Sequence, residues 1–376
     1  MKRKEFYGKI LAILLVLAVV AGTGACGTTG GVSQDEQRKD AESIKQENQA
    51  AASADNTGGK VTNEEQSGVK TKYPLTITTY DGTGNEATTT YSKAPDKVLA
   101  VYQGCIETML ALGLEDQLAA TAGLDNEVPD SMKAVFSKIK YLDEFTPSRE
   151  TVTMLEPDMI FSWGSLFSEK NLGNVNDWIN KGANTYINTN TRPNQDGKKY
   201  NRTLENEYTD ILNIGKIFDV QDKAQKIVDD IQIVIDKTTE STSSISEKPT
   251  ALILESYDKT FTNYGAATLG GDMLTKLGGI LANPDGKEMG KEDIISLNPE
   301  VIFVVYMPYS GDDPVKVRQE KLDVILKDKT YASLNAVKNK RVVPIMLSEM
   351  YASATRTQDG IRTIAKGLYP ELNFDK

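Results

Sequence analysis

The sequence predicts an α/β fold: two Rossmann-like lobes joined by one long backbone helix, with a ligand cleft between the lobes. Three observations carry this. The first is an internal repeat. Leu155-Glu156-Pro157-Asp158-Met159-Ile160-Phe161 recurs 142 positions on (157 to 299) as Leu297-Asn298-Pro299-Glu300-Val301-Ile302-Phe303, and Glu150 falls on Glu292 in the same register. The second is the physical logic of each copy. A short helix carries apolar residues at turn spacing (Val152 and Leu155; Ile294 and Leu297) and a proline stops it. The apolar runs that follow, 159–163 and 301–306, have the length and β-rich composition of buried strands. The third is a long helical pattern from Leu204 to about Thr239, in which Ala224, Ile227, Val228, Ile231, Val234 and Ile235 form one apolar stripe.

In chain order, residues 75–79 and 87–91 read as paired strands around the turn Asp81-Gly82-Thr83-Gly84. A buried strand at 97–102 precedes a helix at 106–112, which Gly113 ends. Residues 117–122 begin the next strand, and 130–136 read as helix. After the first repeat come an amphipathic helix at 172–181, ended by Gly182, and a strand at 185–189. Past the long helix, Pro249 precedes a central strand at 251–255, and a helix at 273–277 is capped by Gly278-Gly279. The second repeat is followed by helices at 315–328 and 336–340, a strand at 341–346 and a closing helix at 358–367. One stiff helix between lobes predicts limited closure and a pocket largely formed before its ligand arrives.

The ends divide the chain further. Lys2, Arg3, Lys4 and Lys9 precede an apolar run, 10–21, too short to span a bilayer but sized for a signal-peptide core. Thr23-Gly24-Ala25-Cys26 resembles a lipobox, although Thr23 stands where a larger aliphatic residue is usual; an ordinary secretory signal is the alternative. Residues 27–72 are polar and nearly free of aromatic and large aliphatic residues, a composition that cannot bury enough apolar surface to order itself. The expected organisation is therefore a lipoprotein signal at 1–26 with Cys26 acylated, a tether at 27–72, an N-terminal lobe at 73–203, a linking segment at 204–244 and a C-terminal lobe at 245–376. With Cys26 acylated, the only other cysteine, Cys105, has no disulfide partner and reads as a small buried residue.

Composition excludes several functions. The net charge is −10 without a strong basic cluster, which argues against nucleic acid. Histidine is absent, which removes Ser-His-Asp and Cys-His catalysis and histidine-ligated zinc or haem. There is no phosphate-binding Walker loop, since Gly286-Lys287 lacks the upstream glycine. A carboxylate-pair glycan hydrolase stays open, but 53 acidic residues supply many chance pairs. No cofactor is expected, and the chain reads as a binder rather than an enzyme.

Five segments in order resemble one family: Pro95-Asp96-Lys97-Val98-Leu99-Ala100 with Glu107 and Ala111-Leu112-Gly113-Leu114; the two Leu-x-Pro-acid junctions; Gly270-Gly271-Asp272-Met273-Leu274 with Leu277-Gly278-Gly279; and Leu334-Asn335-Ala336-Val337-Lys338-Asn339-Lys340-Arg341-Val342. The chain is similar to the helical-backbone substrate-binding lipoproteins of ABC importers for ferric siderophores, haem and cobalamin, over nearly all of residues 73–376. The resemblance implies an extracytoplasmic, lipid-anchored monomer that captures a metal chelate and delivers it to a permease dimer. It implies that Glu150 and Glu292 dock onto permease arginines, bidentate pairing that suits two pseudo-symmetric lobes. Without it, a glutamate in a helix's first turn reads as complementing the helix dipole. The resemblance also places the pocket on loops after the strands, with Tyr102, Trp163, Tyr264, Tyr306, Tyr309, Met350, Tyr351 and Arg356 as ligand-binding residues. Amphipathic aromatics suit large, flat, partly polar ligands. Only Arg356, Arg192 and Arg149 are candidate pocket cations, which disfavours a highly charged catecholate; haem and a corrinoid stay open.

Overall fold

A pair of parallel-stranded sheets, one per lobe, organises the chain; the computed structural model describes residues 70–373. In the first lobe β3 (Val98–Val101), β4 (Leu118–Ala122), β5 (Met159–Ser162) and β6 (Asn184–Ile187) form a parallel sheet in the order β4-β3-β5-β6. An antiparallel hairpin, β1 (Leu75–Tyr80) with β2 (Glu86–Tyr91), is hydrogen-bonded to it where the Ile187 N–H donates to Thr79 Oγ1 at 3.2 Å. In the second lobe the central strand β7 (Thr250–Tyr257) pairs in parallel with β11 (Val301–Tyr306), which pairs in parallel with β12 (Val342–Met346). The short strands β8 (Thr260–Asn263) and β10 (Glu288–Met289) extend the other edge antiparallel, and β9 (Ile280–Leu281) pairs with the start of β7. These three strands are absent from the sequence expectation, which placed Tyr264 on a pocket loop.

Helices cover both faces of each sheet, as buried parallel strands require. Alternation along β3 sends Val98 and Ala100 into one core and Leu99 and Val101 into the other; β11 does the same with Val301, Phe303 and Val305 against Ile302 and Val304. The repeat is structurally real. The helices α3 (Arg149–Leu155) and α8 (Lys291–Leu297) have equal length and end at equivalent left-handed residues, Glu156 and Asn298. The acidic residue after each proline has a role that composition did not reveal. Asp158 accepts from the Asp96 and Lys97 N–H groups, Glu300 from the Thr250 N–H, and the N–H of each donates back to the carbonyl of Lys97 or Thr250 at 3.0 Å. Each acid thus pins the start of its strand to the neighbouring strand.

The remaining helices are α1 (Gln103–Ala111), α2 (Asp130–Phe136), α4 (Val175–Asn180), α7 (Leu269–Lys276), α9 (Pro314–Leu326), α10 (Asn335–Lys338) and α11 (Thr357–Leu368). Between the lobes run α5 (Leu204–Ile217) and α6 (Gln221–Ser241). The expected single linking helix is therefore two. The break lies at Asp219, left-handed at φ 58°, a conformation aspartate tolerates better than most residues. No proline or glycine marks it, and the apolar pattern runs on through the turn. Gly215 lets the pair close up, since a Cβ there would meet Ala224 Cβ at 2.5 Å. Each helix belongs to both lobes: Ile211, Ile214 and Ile217 of α5 and Ala224 and Val228 of α6 pack in the first core, whereas Leu204, Ile231, Val234 and Ile235 pack in the second.

The chain joins this body earlier than residue 73. The Thr71 N–H donates to Asp219 Oδ1 at 2.7 Å, the Thr71 hydroxyl donates to the Lys216 carbonyl, and Lys70 pairs with Asp219 at 3.1 Å. The signal segment, Cys26 and the tether up to residue 69 lie outside the described residues. Cys105 is buried as expected, its thiol donating to Asn188 Oδ1 at 2.9 Å.

Candidate ligand cleft

The ends of β3 and β5 deliver two aromatic residues to the same place. Tyr102 follows β3 and holds φ at 89°, a region that is costly for a side chain larger than glycine. Trp163 follows β5 directly. Their rings lie 3.8 Å apart, tilted by 30°, and Phe145 meets Tyr102 edge-on at 5.7 Å. Tyr351 adds a third ring 6.1 Å from Trp163, and Tyr264 meets Tyr351 edge-on at 6.3 Å. Tyr351 packs against the cores of both lobes, so this aromatic row runs across their junction. Arg202, just ahead of α5, stacks its guanidinium 3.7 Å over the Tyr351 ring and donates to the Tyr351 carbonyl at 3.1 Å.

Each lobe ties a tyrosine hydroxyl of this row to one of its own carboxylates. Tyr264 donates to Glu255 Oε2 at 2.6 Å, and Tyr102 donates to Asp125. Burial, reinforced by these carboxylates, holds both phenols well above their ordinary pKa, so they stay protonated donors at neutral pH. Burial also lifts Asp125 to about 6, against the opposing hydrogen bond from Tyr102. Tyr309 is pushed up to about 12, by burial first and then by Asp125, Glu255 and Asp312. Tyr306, at the end of β11, is raised by burial and by Glu349. Trp163 is only 8% exposed, yet its indole N–H has no hydrogen-bond partner among the described residues. A buried donor left unpaired costs free energy, and such a donor beside a cleft is suited to a ligand oxygen.

A seam of cross-lobe contacts borders the row. The Ser310 N–H donates to the Asp125 carbonyl at 3.1 Å, and the Asn126 side-chain amide reaches Met307 Sδ at 3.3 Å and Ser348 Oγ at 3.4 Å. Arg356 of the second lobe makes a bidentate pair with Glu107 on α1 of the first.

The sequence-named residues thus divide. Tyr102, Trp163, Tyr264 and Tyr351 come together as one row, with Tyr309 within electrostatic range of both its carboxylates and Tyr306 half-buried nearby in sequence. Met350 does not join them. It is wholly buried in the second core, where a Cβ on Gly270 would meet its sulfur at 2.9 Å, because it fills the gap beside α7. Arg356 is no pocket cation, because Glu107, the Glu127 carbonyl, Ser348 Oγ and Met346 Sδ take its donors. Arg149 forms surface pairs with Glu169 and Asp177, and Arg192 stacks on Tyr80 and Tyr200 beside the β1–β2 hairpin. Sequence reasoning missed Arg202, Asp125 and Glu255, single charges without a local motif. Only their position at strand and helix ends hints at them. Glu150 and Glu292 are both exposed, in the first turns of α3 and α8.

Comparison with known proteins agrees with this architecture. A periplasmic binding protein from Veillonella parvula DSM 2008 superposes with a TM-score of 0.72 at 28% identity, covering 80% of this chain and 93% of that one. The petrobactin-binding protein YclQ from Bacillus subtilis superposes with a TM-score of 0.55 at 21% identity, covering 78% and 99%. The uncharacterized ABC transporter substrate-binding lipoprotein YvrC of Bacillus subtilis (strain 168) is 23% identical over 318 residues, 83% of this chain and 92% of that one. Residues 98–346, from the first strand of the N-terminal sheet to the last of the C-terminal one, match the family described as periplasmic binding protein, and the chain belongs to that family.

Proposed function

We propose that this protein is an extracytoplasmic solute-binding lipoprotein of an ABC importer. It captures an iron–siderophore-type metal chelate between its lobes and hands it to the permease, with no chemistry of its own. The observation that carries this reading is the aromatic row Tyr102–Trp163–Tyr351–Tyr264 across the lobe junction, with the unpartnered Trp163 donor inside it. Flat aromatic faces with few fixed polar groups suit a bulky chelate. Delivery rests on Glu150 and Glu292, exposed at equivalent ends of the repeated helices, which offer one carboxylate per lobe to the two halves of a permease dimer. Acylated Cys26 and the 27–69 tether would hold a monomer at the membrane surface.

A carboxylate-pair hydrolase finds no support at the cleft, where Asp125 and Glu255 each accept from a tyrosine hydroxyl of their own lobe. The test is a tryptophan-fluorescence titration with ferric siderophores, haem and cobalamin, alongside a hydrolysis assay on cell-wall glycan. Saturable quenching by a chelate without turnover is expected. Turnover, or quenching by none of the chelates, would sink the receptor reading.

A further inference from the structure

Charge in the cleft is arranged asymmetrically, and this bears on which chelates fit it. Each lobe brings one carboxylate to the aromatic row, Asp125 beside Tyr102 and Glu255 beside Tyr264, and each accepts from a neutral phenol there. A phenol hydrogen bond stabilises a carboxylate without cancelling its charge. The opposing cations are largely spent. Arg356 is neutralised by Glu107, and Arg202, within electrostatic range of Glu207, is stacked on the Tyr351 ring and donates to the Tyr351 carbonyl. Four aromatic rings form the row, and the Arg202 guanidinium stacked 3.7 Å over the Tyr351 ring shows that a cationic group is accommodated on it. The buried indole N–H of Trp163, which has no partner among the described residues, gives the row a donor for a ligand oxygen.

We propose that the cleft selects metal chelates that carry a cationic group, such as an ammonium, over neutral and anionic chelates of similar size. The carboxylates of Asp125 and Glu255 and the aromatic faces take the cationic group, and Trp163 donates to an oxygen of the chelate. This rests on the receptor reading above and narrows it. A ferric tris-catecholate, carrying several negative charges, would meet both carboxylates, with Arg202 the cation stacked in the row to offset them.

The experiment titrates the full-length protein with three probes: a ferric tris-hydroxamate bearing a free ammonium, its N-acetylated neutral counterpart, and a ferric tris-catecholate. Fluorescence quenching gives each Kd at low and high salt. The ammonium complex is expected to bind roughly tenfold or more tightly than the acetylated one, with the gap shrinking at high salt, and the catecholate weakest. Asp125→Asn and Glu255→Gln should each narrow the ammonium-to-acetyl ratio several-fold, and Asp125→Glu should restore part of it. Near-ultraviolet circular dichroism establishes that the variants fold. Equal affinity for the ammonium and acetylated complexes, tighter catecholate binding, or a ratio unmoved by both substitutions would overturn the charge preference and leave the receptor reading standing. Quenching by none of the three, nor by haem or cobalamin, would overturn both.

Discussion

Arg356 and Glu107 join the two lobes by a bidentate ion pair, Nε to Oε2 at 2.6 Å and Nη2 to Oε1 at 2.7 Å, with Glu107 1% exposed and Arg356 9% exposed at their side chains. Gln103 also donates to Glu107, and the Arg356 guanidinium reaches the Glu127 carbonyl, so both charges are fully engaged. Burial raises the Glu107 pKa while Arg356 and Gln103 pull it down, the signature of a carboxylate kept charged in a dry site by its partners.

Breaking this pair from one side strands a buried charge. Arg356→Leu or Glu107→Leu is expected to lower unfolding free energy by about 3–5 kcal/mol, whereas the double replacement Glu107→Leu with Arg356→Leu should cost much less than the sum. Urea denaturation of the four proteins measures the coupling. Additive losses would mean that the pair does not act as a unit across the junction.

Stability should fall as pH rises through neutrality. Asp210 accepts from Tyr186 and Thr189 but is buried near Glu207, and burial followed by that neighbouring charge lifts it to about 7. Glu349 is likewise lifted to about 7 by burial and by Asp359. A carboxyl raised in the folded state binds protons there that the unfolded chain has already released. Its favourable contribution is complete below the ordinary carboxylate pKa, roughly 4, and is lost as pH rises to about 7. A shift of this size corresponds to about 4 kcal/mol per group at most. Denaturation at pH 5 and pH 8 should find the protein more stable at pH 5, and Glu349→Gln should flatten the slope. A slope of the opposite sign, or one unchanged in the variant, would contradict this assignment.

How far the sequence discloses the molecule follows from what is local. The repeat at Pro157 and Pro299 is legible because a helix stop and a strand start each leave a short-range signature. The two-lobed architecture follows from having it twice. The division of the link at Asp219 is not legible, since an aspartate in a left-handed turn leaves the 3.6-residue apolar stripe unbroken. In the cleft, Trp163 and Tyr102 are legible because they directly follow strands β5 and β3. Met350 and Arg356 mislead for opposite reasons: one is next to Tyr351 in sequence but faces a core, the other is a cation whose counter-charge, Glu107, lies 249 residues away. Arg202 acquires meaning only through Tyr351, 149 residues away, whereas Asp125 and Glu255 pair within their own lobes but with no motif to mark them.

The two tryptophans separate ligand binding from general conformational change. Trp163 lies in the aromatic row, whereas Trp178 is buried in the far core of the first lobe and donates to the Leu172 carbonyl at 2.7 Å. Chelate-dependent quenching should therefore vanish in Trp163→Phe and persist in Trp178→Phe. The Phe variant keeps an aromatic face but loses the N–H donor, so its affinity, followed by equilibrium dialysis, should drop by about tenfold for a lost hydrogen bond. Quenching that disappears in Trp178→Phe instead would place the ligand elsewhere.

Glu150 and Glu292 are the proposed handles for the permease, and their effect must be separable from binding and folding. Both are exposed in first turns, where an acidic residue contributes only about 0.3–1 kcal/mol through the helix dipole. Ser148 caps α3 by accepting from the Thr151 N–H, and Asp293 accepts from the Gly290 N–H at the start of α8, so neither helix depends on its glutamate for a cap. Glu150→Ala with Glu292→Ala should leave chelate affinity and melting temperature nearly unchanged while cellular uptake of the chelate falls steeply. Each single substitution should cost less than the pair, because one lobe still engages. Charge reversal to lysine should be worse than alanine, since a permease arginine would then meet a like charge. Intact uptake by the double alanine variant would remove these glutamates from the docking surface while leaving the cleft and its ligand untouched.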